Sequence, residues 1–156
     1  MGVVAARLIE LGLTLPAVVA PVATYVPAVL TGKYVYTSGQ LPFVAGVLAE
    51  VGKVGDGDGL VAPAAAAGHA RTATLNALAA VGALIGDLDK IQRIVKVTGY
   101  VASDPSFTGQ PKVVNGASDL LGEIFGEAGV HARTAVGVAV LPLNSPVEIE
   151  LQVELH

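Results

Sequence analysis

Val147-Glu-Ile-Glu-Leu-Gln-Val-Glu-Leu-His156 alternates an apolar with a polar side chain at every step. A strand turns successive side chains to opposite faces, so this segment predicts a half-buried strand with Val147, Ile149, Leu151, Val153 and Leu155 facing a core. Helices must cover that face. Upstream, His131-Ala-Arg-Thr-Ala-Val-Gly-Val-Ala-Val-Leu141 reads as a second strand. Its bulky residues Val136, Val138 and Val140 share one parity, and Arg133 shares the other with Ala135, Gly137 and Ala139. If bulky residues face the helices in both strands, Arg133 and Glu148 stand together on the opposite face, beside small side chains that leave room for a pocket.

Arg133 is the only Lys or Arg between Val113 and His156, a stretch that also holds Asp119, Glu123, Glu127, Glu148, Glu150 and Glu154. A guanidinium in apolar surroundings is costly unless it is paired, so it either meets a carboxylate of its own chain or takes an anionic ligand. On the pattern alone, an ion pair with Glu148 or Glu150 is the favoured reading.

Working further outward, Val61 to about Ile85 places alanines with Leu75, Leu78, Val81, Gly82 and Ile85 at helical spacing, and Gly86 closes the helix. Asp89 to Ser103 predicts a strand with Ile91, Val95, Val97 and Val101 on one face, ended by Asp104-Pro105. Lys112 to Ala128 predicts a second helix, its stripe made by Val114, Ala117, Leu121, Ile124, Phe125 and Ala128, with Gly129 as its stop. Nearer the start, Tyr25 to Leu30 and Lys33 to Ser38 read as a hairpin around Thr31-Gly32. Ala5 to Gly12 reads as a short amphipathic helix leading into a proline-rich connection. The glycine-rich segment from Gly52 to Gly59 lacks the Walker lysine followed by Ser or Thr and the terminal Glu of a calcium loop, so it reads as a turn. Two helices on one face of about six strands make an α+β sandwich, a single domain over residues 1–156 with residues 1–20 as helix and lead-in.

Hydrophobic residues make up 53% of the chain and charged residues only 14%, more apolar surface than a monomer of this size comfortably hides. Oligomerisation is the expected outlet. A net charge of -4 and only four Tyr, three Phe and no Trp supply neither the basic stripe nor the stacking platforms of nucleic-acid binding. The uncharged run from Leu11 to Gly32 is interrupted by Pro16, Pro21 and Pro27, which argues against a membrane span, and Glu10 argues against a signal peptide. With no cysteine to suggest otherwise, the cytoplasm is the default compartment. No two of the three histidines stand at metal-ligand spacing, so no metal is expected, and Ser38 and Ser118 have neither a base beside them in sequence nor a nucleophile-elbow motif. His-Ala-Arg-Thr-Ala occurs at both 69–73 and 131–135, but the flanks are helical in the first copy and alternating in the second. Arg71 is therefore expected on a helix surface, and Arg133 alone draws a functional reading.

Several segments combine in a specific order: Tyr25 ahead of Thr37-Ser-Gly-Gln-Leu-Pro42, Ala70-Arg71 with Asn76, Asp89-Lys-Ile-Gln-Arg-Ile-Val-Lys-Val97, Val114-Asn115, Ala132-Arg-Thr-Ala-Val136, and Leu141-Pro142 ahead of Val147-Glu-Ile-Glu150. Together they resemble the RidA family of reactive intermediate deaminases, also called the YjgF or L-PSP family, from about Pro21 to the C-terminus. The resemblance implies a chorismate-mutase-like α+β fold with a mostly antiparallel sheet, assembled as a homotrimer around a central barrel with ligand clefts between subunits. It also implies hydrolysis of 2-enamino or 2-imino acids to 2-keto acids and ammonia without a cofactor, Arg133 holding the substrate carboxylate. Tyr25, Ser38, Asn115 and Glu148 match the family's other pocket positions, and Glu148 would orient or deprotonate the attacking water. Two parallel hydrogen bonds from one guanidinium would fix the neighbouring C=N group for that attack. The chain departs from the family where Val130-His131 replaces Phe-Pro, Ala135 stands where cysteine is common, and Gly137 and Val140 replace a Glu and an Arg. Insertions near Phe43–Gly59 and Ser106–Lys112 lengthen it. The rival readings are a non-catalytic trimer that binds small carboxylates and, last, a ribonuclease, for which the basic surface is missing.

Overall fold

In the computed structural model, which describes residues 2–18 and 23–156, the alternating C-terminal stretch is a strand at the centre of a five-stranded sheet. Pro21 of the lead-in lies outside the described residues. In chain order the sheet uses β1 (Ala28–Thr31), β2 (Tyr34–Thr37), β5 (Ile91–Ala102), β6 (Ala132–Val138) and β7 (Val147–Leu155). Their spatial order is β1-β2-β7-β5-β6. All pairs are antiparallel except β5 with β6. The insertion after β2 makes a separate hairpin of two-residue strands, β3 (Phe43–Val44) and β4 (Val47–Leu48), so the expected six strands become five plus this small pair.

The β1–β2 hairpin turns at Gly32-Lys33, where Gly32 takes φ +57 in the left-handed region that favours glycine. Helix α2 (Pro63–Ile85) and helix α3 (Gln110–Phe125) lie side by side over the face that buries Val35, Ile94, Val97, Val101, Ile149, Leu151 and Val153. Small residues set their spacing: a Cβ on Gly116 would fall on the Ala67 carbonyl of the neighbouring helix, and one on Gly99 would come within 2.5 Å of Val114. Helix α1 (Val3–Glu10) packs Val4 and Leu8 into the same core, and the Asp89 carboxylate caps it by accepting from Val3 N and Val4 N at 2.7 Å each. The whole is one mixed α+β domain with its helices on one side of the sheet.

The structure overturns two expectations about which way side chains point. In β5 it is Ile94, not Val95, that enters the core, because the pairing with β7 slips between Ile91 and Arg93 and again between Ile94 and Lys96. Such bulges reset the alternation that a strict two-residue period assumes. In β6 the phase is opposite to that expected. Register aligns Arg133 with Val97 and Leu151, whereas Val136 aligns with Tyr100 and Glu148. Arg133, Ala135 and Gly137 therefore face the helices, and Val136, at 40% exposure, faces away. β6 is the edge strand and its burial does not alternate, so bulk does not mark its inner face: Val136 and Gly137 are both exposed, and Ala135 and Val138 are half-buried.

Candidate functional site in two halves

Arg133 leaves the helix-facing side of β6 near its start, where α3 passes above it. One turn of that helix supplies both of its partners: Nη1 donates to Asn115 Oδ1 at 2.7 Å and to Ser118 Oγ at 3.2 Å. Residues 115 and 118 share a helix face, which is why one guanidinium nitrogen reaches both. Ser118 Oγ also lies 3.0 Å from His131 Nε2, and His131 Nδ1 lies 2.6 Å from the Gly129 carbonyl. Ser118 has no base beside it in sequence, but the fold supplies one. His131, thirteen residues away in sequence, is brought to it by the turn between α3 and β6. Ser118, Gly122, Gly129, Val130, His131 and Arg133 line an open cleft of about 340 Å³.

The expected pairing of Arg133 with Glu148 or Glu150 does not form. Those two carboxylates alternate with the buried residues of β7 and so lie on the sheet face away from the helices, across the sheet from Arg133. Nε and Nη2 of Arg133 have no hydrogen-bond partner among the described residues.

The second half is built around Glu148. Gln40 and Ile149 exchange backbone hydrogen bonds of 2.9 and 3.0 Å, which lays the Ser38-Gly39-Gln40 segment along β7. A Cβ on Gly39 would collide with the Glu148 carboxylate, so glycine at this position permits their approach. Ser38 is held by its own backbone N to Pro27 O at 2.8 Å and by its hydroxyl to Val26 O at 2.6 Å. That contact brings it beside Tyr25, whose side chain is 55% exposed in the single chain. Asn76 reaches down from α2 to donate to Leu41 O at 2.8 Å and Phe43 O at 3.1 Å, which anchors the end of the same segment.

Burial, with the Glu150 charge second, holds the Glu148 carboxyl above the usual carboxylate range. Tyr100, opposite Glu148 on β5, contributes its hydroxyl to Glu150 at 3.4 Å, and its phenol is pushed up first by burial and then by Glu150. Tyr100 is a member of this cluster that sequence reasoning missed, although its parity opposite to Val97 and Val101 was the available signal. In one chain, then, Arg133 and Asn115 come together, the Ser38-Gly39 segment and Glu148 form a second group, and the sheet separates the two. Among the described residues no group of three or more His, Asp or Glu is placed to hold a metal ion, and no helix is long and apolar enough to cross a membrane.

Comparison with known proteins agrees with this architecture. Residues 5–155 match the family model described as "YjgF/chorismate mutase-like, putative endoribonuclease". Protein TCP17 of Trypanosoma cruzi is 45% identical, with 99% of this chain and 96% of that protein covered. Atu1372 of Agrobacterium tumefaciens, a protein of unknown function, is 47% identical with a TM-score of 0.89, over 99% of this chain and 93% of that one. A solved structure from Shewanella oneidensis that carries the endoribonuclease name is 39% identical with a TM-score of 0.91, over 97% and 99% of the two chains.

Proposed function

The chain belongs to the YjgF/chorismate mutase-like family, and from that premise we propose that it hydrolyses reactive 2-enamino or 2-imino acids to 2-keto acids and ammonia. The observation that carries the reading is the state of Arg133. Its Nη1 is anchored by two neutral groups, Asn115 and Ser118, its guanidinium meets no carboxylate among the described residues, its Nε and Nη2 have no hydrogen-bond partner there, and Arg133 lines a cleft. A carboxylate ligand fits that fork with two parallel charge-assisted hydrogen bonds.

With the carboxylate held, the C=N carbon is fixed for attack. Water adds to that carbon of the solvent-protonated imine as a glutamate carboxylate takes one water proton. The carboxyl then returns this proton to the carbinolamine nitrogen, and the C–N bond breaks to release ammonia as the hydroxyl proton passes to the carboxylate and C=O forms. Glu148 suits this exchange, because a carboxyl raised by burial binds and releases a proton nearer neutral pH than an exposed one. In this reading Ser38, next to the Gly39 that approaches Glu148, and Tyr25 supply hydroxyls to the substrate's polar end. No cofactor enters the balance: imine and water give ketone and ammonia.

The two halves stand on opposite faces of one sheet, so this reading requires a second copy of the chain to bring a Glu148 group to an Arg133 group. The outer sheet face supports assembly, since it exposes Val29, Tyr34, Tyr36 and Val136 beside polar residues of β7. A homotrimer with these faces lining a central barrel is the proposed form, with the cytoplasm as the proposed compartment. The net charge of -4 favours a small acid over nucleic acid as the substrate. The test is direct: purified protein is mixed with 2-aminoacrylate or 2-iminobutanoate generated in place, and keto acid is followed against the spontaneous rate. Acceleration by wild type and none by Arg133→Ala supports the reading. Buffer-like rates together with binding of 2-ketobutyrate would leave a carboxylate-binding protein, and light scattering that returns a clean monomer would remove the shared pocket.

A further inference from the structure

We propose that Ser118 and His131 are a positioning pair for Arg133, fixing which edge of its guanidinium meets the ligand. The proposal rests on the reading that Arg133 holds a carboxylate, and it concerns residues where the chain departs from the pattern it resembles, His131 standing where proline is usual.

The hydrogen bonds dictate a direction. Gly129 O can only accept, so the 2.6 Å contact puts a proton on His131 Nδ1. In the neutral ring Nε2 is then a bare acceptor, and it faces Ser118 Oγ at 3.0 Å. Ser118 therefore gives its only hydrogen to His131 and turns its lone pairs toward Arg133 Nη1 at 3.2 Å. Nη1 carries two hydrogens, and with Asn115 Oδ1 at 2.7 Å beside Ser118 Oγ it has one acceptor for each. Both are committed. The end-on fork made by Nη1 with Nη2 is closed, and the side-on fork made by Nε with Nη2 is the one left for a carboxylate. Without His131 as acceptor, the Ser118 hydroxyl hydrogen loses its fixed partner, so the hydroxyl is no longer polarised or held in place as an acceptor for Nη1 and the anchored edge is loosened.

The experiment combines binding and spectroscopy on the full chain. Calorimetric titration with 2-ketobutyrate should show His131→Leu weakened about tenfold, the scale of one charge-assisted hydrogen bond lost. His131→Gln retains an acceptor for the Ser118 hydrogen and should bind within about twofold of wild type. Ser118→Ala should match His131→Leu, and the double variant should be no weaker than Ser118→Ala alone, because the histidine acts through the serine. In steady state, loss of a contact shared by ground and transition states raises KM and leaves kcat nearly unchanged, which a merely structural defect would not do. Nitrogen chemical shifts of His131 in the free protein should report the Nδ1–H tautomer. The Nε2–H tautomer, additive losses in the double variant, or unaltered binding by His131→Leu would each overturn the pair. If wild type turns over no imino acid while these binding losses persist, the deaminase reading falls and the pair stands. If wild type binds no 2-oxo acid, the carboxylate reading falls with it, and the tautomer decides whether the hydrogen-bond chain exists.

Discussion

In the first copy of His-Ala-Arg-Thr-Ala, residues 69–73 of α2, the histidine and the arginine each find a carboxylate. His69 meets Glu50 at 2.9 Å and Arg71 meets Glu123 of α3 at 2.6 Å. In the second copy, residues 131–135, the same two side chains meet none among the described residues: His131 contacts a hydroxyl and a carbonyl, and Arg133 an amide and a hydroxyl. The five residues are identical, so what differs is the neighbourhood each element brings. An arginine neutralised within its own chain is a brace between helices. One held by neutral groups keeps its charge for something else, and geometry rather than residue type assigns the role.

The largest expected effect strikes this contrast directly. Arg133→Ala should lower kcat/KM at least about a hundredfold, as expected when a bidentate carboxylate clamp is lost, while thermal denaturation stays within about 2 °C of wild type. A large fall in melting temperature would instead make Arg133 a brace like Arg71.

Glu148→Gln comes next, with kcat lowered about 10²-fold or more for loss of the acid–base group. It should also raise stability at neutral pH. Because the folded-state pKa of Glu148 is raised, its contribution is full below the unfolded value and is lost as pH rises through the folded one. The glutamine variant escapes that loss, so melting curves should separate at neutral pH and converge in acid.

Gly116→Ala places a methyl group against the Ala67 carbonyl and should cost about 1–3 kcal/mol as α2 and α3 separate, measured by urea unfolding. Since Asn115 adjoins it, weaker ligand binding is expected as well, which would show that the two pentapeptide neighbourhoods share one helix contact.

The smallest effect belongs to Arg71→Ala. Both partners of its ion pair are about a third exposed or more, so the loss should be roughly 0.5 kcal/mol with kcat/KM unchanged. The Arg71 hydrogen bond is the main cause that holds Glu123 below the usual carboxylate range. The stability it gives is present above the unfolded pKa and lost as pH falls through the depressed one, so the variant should show a shallower acid limb.

The elements were largely legible because strong periodicity survives in α2, α3 and β7. The sites were legible only in part. Asn115 and Arg133 fall together, and Ser38 and Glu148 are joined through Gly39. The phase of β6 eludes the pattern because bulk is a guide to burial only where one face is covered, and this edge strand leaves Val136 and Gly137 both exposed. Val95 misled because a bulge is a property of pairing between strands and leaves no local mark. Ser118 and His131 were unreadable as a pair, since only the turn that closes α3 brings them within reach.

The parallel pairing of β5 with β6 makes α3 the crossover between them, and this has a bearing on how such a site can be inherited. Everything that orients Arg133, from Asn115 through Ser118 and His131, lies within the crossover and the strand it delivers. The anchoring half is therefore a contiguous cassette that a single recombination event could transplant intact. Glu148 and its neighbours come from opposite ends of the chain, so that half can change only by substitution in place, and the two halves of the pocket are free to diverge at different tempos.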